Sequence, residues 1–432
     1  MPNSDPATHK PQSRHRSTTS LSLRLLLSSF SILILALFSL RAIPRVALLK
    51  NHLFSSSSSA SASSSVSVSP STASTIIMSY AKELRVAQVA VQRATLLTKR
   101  VFHEKAKGTV DKSDKSPVTI GDFGAQALII AALRHNFPDD AIVAEEEAAQ
   151  LRADPNLADQ IWSLVRDTRL PDPAAEELLG GSVPNLDAML DLIDRGNSPG
   201  GAHGRIWAID PIDGTKGFLR GGQYAVCLAL LVDGQVQVGV LGCPNLPIDD
   251  SAPLSADIGV DASDEDGRGV LFSAVRGGGA HSAPLSAPTA AKPISMRPVS
   301  DMTAATFCES VEAAHSAHGD QAEIARRLGI SRPSVRMDSQ SKYGSIARGA
   351  GDIYLRLPVK ATYQEKIWDH AAGDLIVREA GGQVTDVDGK ALDFSVGRTL
   401  ANNKGVVAAP AAVHGEVLKA VQDVLRQKST AA

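Results

Sequence analysis

The sequence predicts a layered α+β protein in which helices cover sheet, and three observations carry that expectation. Apolar residues at Leu84, Ala87, Val91, Ala94 and Leu97 recur at helical spacing. The runs AVCLALLV and QVQVGVLG are joined by Asp233-Gly234, a strong signal for an antiparallel hairpin. Short apolar runs at 141–144 and 206–209 are bounded by turn residues and read as buried strands whose ends deliver carboxylates.

Taken in order, residues 1–77 differ from the rest. Lys10, Arg14 and Arg16 precede an apolar run at 21–40, and a serine-rich tract at 55–74 follows. The run carries Arg24 and several serines and is barely as long as the ~20 apolar residues a membrane span needs. A signal anchor, a cleaved organelle presequence and an unused upstream extension all stay open; we favour a form starting near Met78. That form is expected in the cytoplasm, and membrane or organelle contact only where the extension is kept.

From Met78 one helix is expected, then a second over 123–133 ended by the turn at Pro138, then the strand at 141–144. Stretches 171–204 and 246–267 are rich in Pro, Gly, Asp and Ser without sustained periodicity and read as loops or insertions. The glycines following Arg276 lack the lysine and serine of a phosphate loop and suit a hairpin turn. Helices at 321–328 and 342–348, a strand at 353–357 and a helix at 368–380 ended by Gly381-Gly382 complete the pattern.

The chain has 432 residues and a net charge of −2, which suits a soluble enzyme with more than one lobe and gives no sign of nucleic-acid binding. Any anionic substrate must then be held by local charge or metal. Cys227, Cys243 and Cys308 lack zinc-site spacing and read as ordinary buried thiols.

The segment WAIDPIDGT (207–215) carries most of the chemistry. A buried strand runs into Asp210 and Asp213, which would repel each other unless a cation sits between them. Hard oxygen ligands favour magnesium over zinc. Gly214 and Thr215 open a helix whose free N–H groups suit a phosphate. Alone, the pair is equally a helix cap with Asp-Gly turn chemistry. Glu145, Glu146 and Glu147 after AIVA, Asp122 before an apolar helix, and Asp369 in KIWDHAAGD each also have a bland explanation, as solvated charge or helix cap. Together they place acids at four element ends, and a metal cluster explains all of them. Phosphate-monoester hydrolysis, accelerated by enzymes up to about 10²¹-fold, is a reaction that needs such a cluster.

On these residues the chain resembles the 3'(2'),5'-bisphosphate nucleotidases of the lithium-sensitive inositol monophosphatase and fructose-bisphosphatase superfamily. The likeness runs from Met78 to the C-terminus; DPIDGT (210–215) and WDHAAG (368–373) mark the superfamily, and GTKGFLRGGQYAVCLALLVDG and YQEKIWDHAAGD mark the nucleotidase branch. The resemblance implies an α/β/α/β/α sandwich in two lobes, 78–295 and 296–428, with the site between them. It implies two or more magnesium ions held by Glu145, Asp210, Asp213, Asp369 and the carbonyl of Ile212, with Glu146 the alternative to Glu145. It makes Asp122 the proton acceptor and Thr215 the relay for the attacking water. It assigns His315, Ser339, Lys342 and Arg356, with Thr215, to the nucleotide. Residues 108–116 resemble a loop that precedes the water-activating aspartate.

The implied reaction is hydrolysis of adenosine 3',5'-bisphosphate to AMP, with 3'-phosphoadenosine 5'-phosphosulfate as a second substrate, beside sulfate assimilation and by a monomer. The competing readings are an inositol phosphate phosphatase sharing the metal cluster and a non-catalytic nucleotide sensor on the same fold. Asp122, Thr215 and the full acid set speak against the sensor.

Overall fold

Helix α1 (Ala81–His103) buries Ala87, Val91, Ala94 and Leu97, the residues whose spacing announces it. The computed structural model describes residues 79–103, 109–111, 117–252, 254, 267–312, 317–357 and 362–431. The expectations for 1–77, for His315 and for most of 108–116 lie outside the described residues. None of the described helices is long and apolar enough to cross a membrane.

A short antiparallel pair, β1 (Thr109–Asp111) and β2 (Pro117–Thr119), leads into α2 (Ile120–Asn136). The helix begins at Ile120 rather than Phe123 because Thr119 caps it. The Thr119 hydroxyl accepts from the Gly121 amide at 3.1 Å, and Asp122 accepts from the Thr119 amide at 2.8 Å. After β3 (Ala141–Ala144) come α3 (Ala149–Ala153), α4 (Pro155–Asp167), α5 (Pro173–Leu178) and α6 (Leu186–Asp194). The last two correct the reading of 171–204 as irregular. Asp172 and Asn185 cap them, and each is too short for its period to show in sequence. Met189 and Ile193 of α6 pack with Phe123 and Ile161.

The first sheet follows: β4 (Arg205–Asp213), helix α7 (Thr215–Arg220), then β5 (Ala225–Val232), β6 (Gln235–Pro247), β7 (Arg268–Val275), β8 (Ala280–Pro284) and β9 (Lys292–Ile294). Its seven strands run in the order β3 to β9, with β3 parallel to β4 and the rest antiparallel. Asp233 and Gly234 take φ of 49° and 73°, the mirror-image turn expected between β5 and β6. The glycine run joins β7 to β8, and its Gly277 and Gly279 amides donate to Glu379 at 2.8 and 2.9 Å.

The second sheet is built from β10 (Phe307–Glu309), helix α8 (His318–Leu328), β11 (Val335–Arg336), helix α9 (Ser341–Ala347), β12 (Ile353–Arg356), helix α10 (Ala371–Glu379), β13 (Gly382–Thr385), β14 (Val406–Pro410) and the last helix α11 (Ala411–Ala431). The strand order is β11-β10-β12-β14-β13. Where one helix was expected over 368–380, a 3₁₀ turn at Ile367–Asp369 precedes α10, and the non-helical φ of His370, −136°, separates the two.

Side-chain alternation decides the layers. On β4, Trp207 and Ile209 pack with Val91 of α1 and Ile129 of α2, while Ile206 and Ala208 face a core holding Tyr343, Ile346, Ala371 and Leu375 of α9 and α10. That same core takes Tyr354 and Ala408 of the second sheet. The sheet's other face, with Ile353, Leu355 and Val407, meets Ile324 of α8 and Val417 and Val421 of α11. The result is helix, sheet, helix, sheet, helix, the layering the family resemblance implies. Cys227, Cys243 and Cys308 are free and buried. Burial pushes the thiols of Cys243 and Cys308 up to about 12 and that of Cys227 well above the usual range, so they act as core residues.

Candidate active site

The end of β4 is irregular, and the irregularity makes the site. Asp210 stands opposite Cys227 on β5 and Asp213 opposite Ala225, so β4 carries one extra residue between them. In an unbroken strand, residues three apart point to opposite faces. The bulge, at Pro211 with no amide to give the ladder, turns both carboxylates to the face shared by Ala225 and Cys227.

There they meet Asp369 from the 3₁₀ turn and Glu145 from the end of β3 on the wall of a cavity of about 280 Å³. Asp210 is buried and its carboxyl is pushed well above the usual range, first by burial and then by Glu145, Asp213, Asp369 and Asp122. Asp369 is raised by burial and by Asp213. Asp213 rises only to about 6, because Lys342, the Gln340 amide and Arg356 oppose its burial. The Gln340 amide donates to Asp213 Oδ2 at 2.5 Å. Four neighbouring carboxylates, with hard oxygen donors and raised pKa values, fit a divalent cation.

Past Asp213 the chain must turn sharply. Gly214 adopts φ 89°, and a Cβ there would come within 3.0 Å of Ser339 Cβ. Thr215 opens α7, and its hydroxyl donates to the Ile212 carbonyl at 3.2 Å, so Thr215 and Ile212 both border the cavity. Asp122 lies one step back. It is buried, and its Oδ2 accepts from the Thr119 amide and, at 2.6 Å, from the Thr119 hydroxyl. No hydrogen bond joins Asp122 to Thr215 among the described residues. Glu145 lines the cavity, whereas Glu146 is buried with its main chain tied to Gln126.

The opposite wall is cationic. Lys342, at the start of α9, is 2% exposed, with Nζ donating to the carbonyls of Ser339 at 2.9 Å and Met337 at 3.2 Å and lying 5.1 Å from the Tyr354 ring centre. Read by itself in sequence, it would be a solvated helix residue. Burial lowers its pKa to about 8 despite Asp338 and Asp213 nearby. Ser339 holds φ 68°, a strained conformation for a residue with a Cβ, and its hydroxyl bonds Ser341 at 2.9 Å. Arg356 ends β12 with Nε 2.7 Å from Glu365 Oε2, an ion pair rather than a well-aligned hydrogen bond, and Nη2 4.0 Å from Asp369.

Several contributors escaped the sequence reading. Gln340 joins three parts of the site: its amide serves Asp213, and its side chain bridges the Trp368 carbonyl (2.8 Å) and the Gly373 amide (2.9 Å). Glu365, Asp369 and His370 are, among the described residues, the one group whose possible ligand atoms all lie within 4.8 Å of one another. Glu365, however, is committed to Arg356 and, at 3.3 Å, to His370, whose other nitrogen meets the Tyr343 hydroxyl at 2.9 Å. This chain braces the loop carrying Asp369 and Arg356's guanidinium. The only signal in sequence was an acid four residues before Asp369.

Comparison with known proteins identifies the family. Residues 80–426 match the model of the inositol monophosphatase family. A protein from Emericella nidulans named 3'(2'),5'-bisphosphate nucleotidase is 68% identical over 81% of this chain and 100% of its own length. One of the same name from Schizosaccharomyces pombe is 47% identical over 80% of this chain and 97% of its own. Among solved structures, the Thermotoga maritima IMPase aligns with a TM-score of 0.50 at 20% identity, over 79% of this chain and 97% of that one, a likeness of fold. The chain therefore belongs to the inositol monophosphatase family, whose members are metal-dependent phosphatases.

Proposed function

We propose that this protein is a magnesium-dependent 3'(2'),5'-bisphosphate nucleotidase that hydrolyses adenosine 3',5'-bisphosphate to AMP and phosphate and also accepts 3'-phosphoadenosine 5'-phosphosulfate. One observation carries the reading: the acid cluster shares its cavity with a cationic corner, Lys342 and Arg356. A substrate with one phosphate to cleave and a second anionic group to hold suits both walls, whereas a polyol monophosphate needs only the acidic one. The names of the relatives support the same choice.

Asp210, Asp213, Asp369, Glu145 and the Ile212 carbonyl are the groups that would hold two or more magnesium ions. Bound there, the ions neutralise charge on the phosphoryl group and make water more acidic. The chain's own residues do the rest. Thr215 orients the attacking water through its hydroxyl, and Asp122 accepts the proton that leaves it. Lys342 and Arg356 hold the phosphate that stays, in a setting where poor hydration strengthens each charge. Ser339 faces the sugar, and His315 is assigned to the base. The unit we propose is a monomer in a form starting near Met78. Purified protein supplied with magnesium should release phosphate faster from adenosine 3',5'-bisphosphate than from inositol 1-phosphate. The reverse ranking would overturn the proposal.

A further inference from the structure

Tyr363 has no part in the scheme above, yet it stands on the cavity wall beside Arg356. Its side chain is 51% exposed, one of three large apolar side chains exposed among the described residues. Arg356 lines the same cavity, and its positive charge acts on the phenol. A guanidinium has donors only, so toward Arg356 the phenol can offer nothing but a lone pair, and its proton is available to another partner. Arg356 is already engaged: Glu365 Oε2 lies 2.7 Å from its Nε. Its fork therefore offers less to an incoming anion than its charge suggests. Burial and its neighbours push the Tyr363 phenol up to about 12, so it keeps its proton at neutral pH.

Resting on the nucleotidase reading, we propose that the Tyr363 hydroxyl donates a hydrogen bond to the phosphate that is not cleaved, which makes Tyr363 a specificity-determining residue for bisphosphates. The phenol and the guanidinium act as a pair. Arg356 supplies charge that polarises the hydroxyl, and Tyr363 supplies the directed proton. Tyr354 is 3% exposed, whereas Tyr363 stands on the open side where substrate arrives.

The test uses the full chain with Tyr363→Phe, which keeps the ring and removes the hydroxyl. With magnesium, KM for adenosine 3',5'-bisphosphate should rise roughly ten- to a hundred-fold, the range for a hydrogen bond to a charged group. The kcat should stay within about twofold. KM for adenosine 3'-monophosphate, which lacks the second phosphate, should not move. An unchanged KM for the bisphosphate, or an equal rise for both substrates, overturns the proposal.

Calorimetric binding of AMP in EDTA reads the same contact without chemistry, and there Tyr363→Phe should weaken AMP by a similar factor and leave adenosine alone. If the wild type binds AMP in this way but fails to turn over the bisphosphate, the nucleotidase reading falls and the Tyr363 contact stands. A role limited to holding Arg356 predicts that Tyr363→Phe adds nothing in an Arg356→Ala background. A direct contact predicts a further loss there, so the absence of one sinks it.

Discussion

Replacing Asp213 with asparagine should destroy activity and make the metal-free protein more stable. Asp213 is half-buried on the cavity wall, and desolvation moves its pKa from 3.8 to about 6 on folding. At about 1.4 kcal/mol per unit, holding its charge in the fold costs roughly 3 kcal/mol. Because the folded pKa is the higher one, the native state binds more protons between pH 3.8 and about 6. Stability therefore falls as pH rises through that window, and the whole cost is present above it. Asparagine carries no charge and still offers an oxygen to the Gln340 amide, but it forfeits the attraction of Lys342. A net gain of about 1–3 kcal/mol at pH 8 remains, and none at pH 3. Melting curves of both proteins in EDTA would measure it. Magnesium should raise the melting temperature of the wild type, by compensating the desolvated charge, and that of Asp213→Asn much less. An Asp213→Asn protein that melts below the wild type in EDTA at pH 8, or that responds equally to magnesium, would refute the argument that the Asp213 charge is costly in the fold.

Three further outcomes follow from particular contacts. Asp122→Asn removes the proton acceptor but leaves the cationic corner, so turnover should drop by about 10²–10⁴-fold with nucleotide affinity retained; lost affinity with normal turnover would contradict this. Gly217→Ala would bring a Cβ within 2.5 Å of Asp338 Oδ2 and 2.6 Å of the Gln223 carbonyl, so α7 must shift. A destabilisation of about 1–3 kcal/mol, with weaker magnesium binding, is expected in urea and metal titrations; a neutral substitution would mean that the helix is free to move. Arg93→Met strands Glu176 (3.0 Å) and the carbonyls of Gly181 and Leu128 (3.0 Å each). Its cost, about 3–5 kcal/mol in urea unfolding, would read near zero only if water replaced the guanidinium.

Some of this protein is legible in the amino-acid order alone. Helix α1, the Asp233-Gly234 hairpin and β3 are decided locally, by a period or by a turn dipeptide, and the structure keeps them. Residues 171–204 were not legible. Helices α5 and α6 are too short to show a period, and they form because Arg93 reaches Glu176 and because α6 fills a core with Phe123, contacts made far apart in sequence. The bulge at Pro211 belongs to both levels. Proline predicts a break in the ladder, but only pairing with β5 shows that the break turns Asp210 and Asp213 to one face.

The acids themselves are named by the sequence, since strand ends and DPIDGT mark them without any coordinates. What only the tertiary structure decided is the other wall. Lys342, Gln340, Glu365 and Tyr363 lie on a surface helix pattern or in a loop when read in order. The burial of Lys342, Gln340 and Glu365, and the place of exposed Tyr363 on the cavity wall, exist only once the first sheet, α9 and the loop before α10 are packed together. Charge desolvation depends on what surrounds a group in three dimensions, and linear order does not contain it.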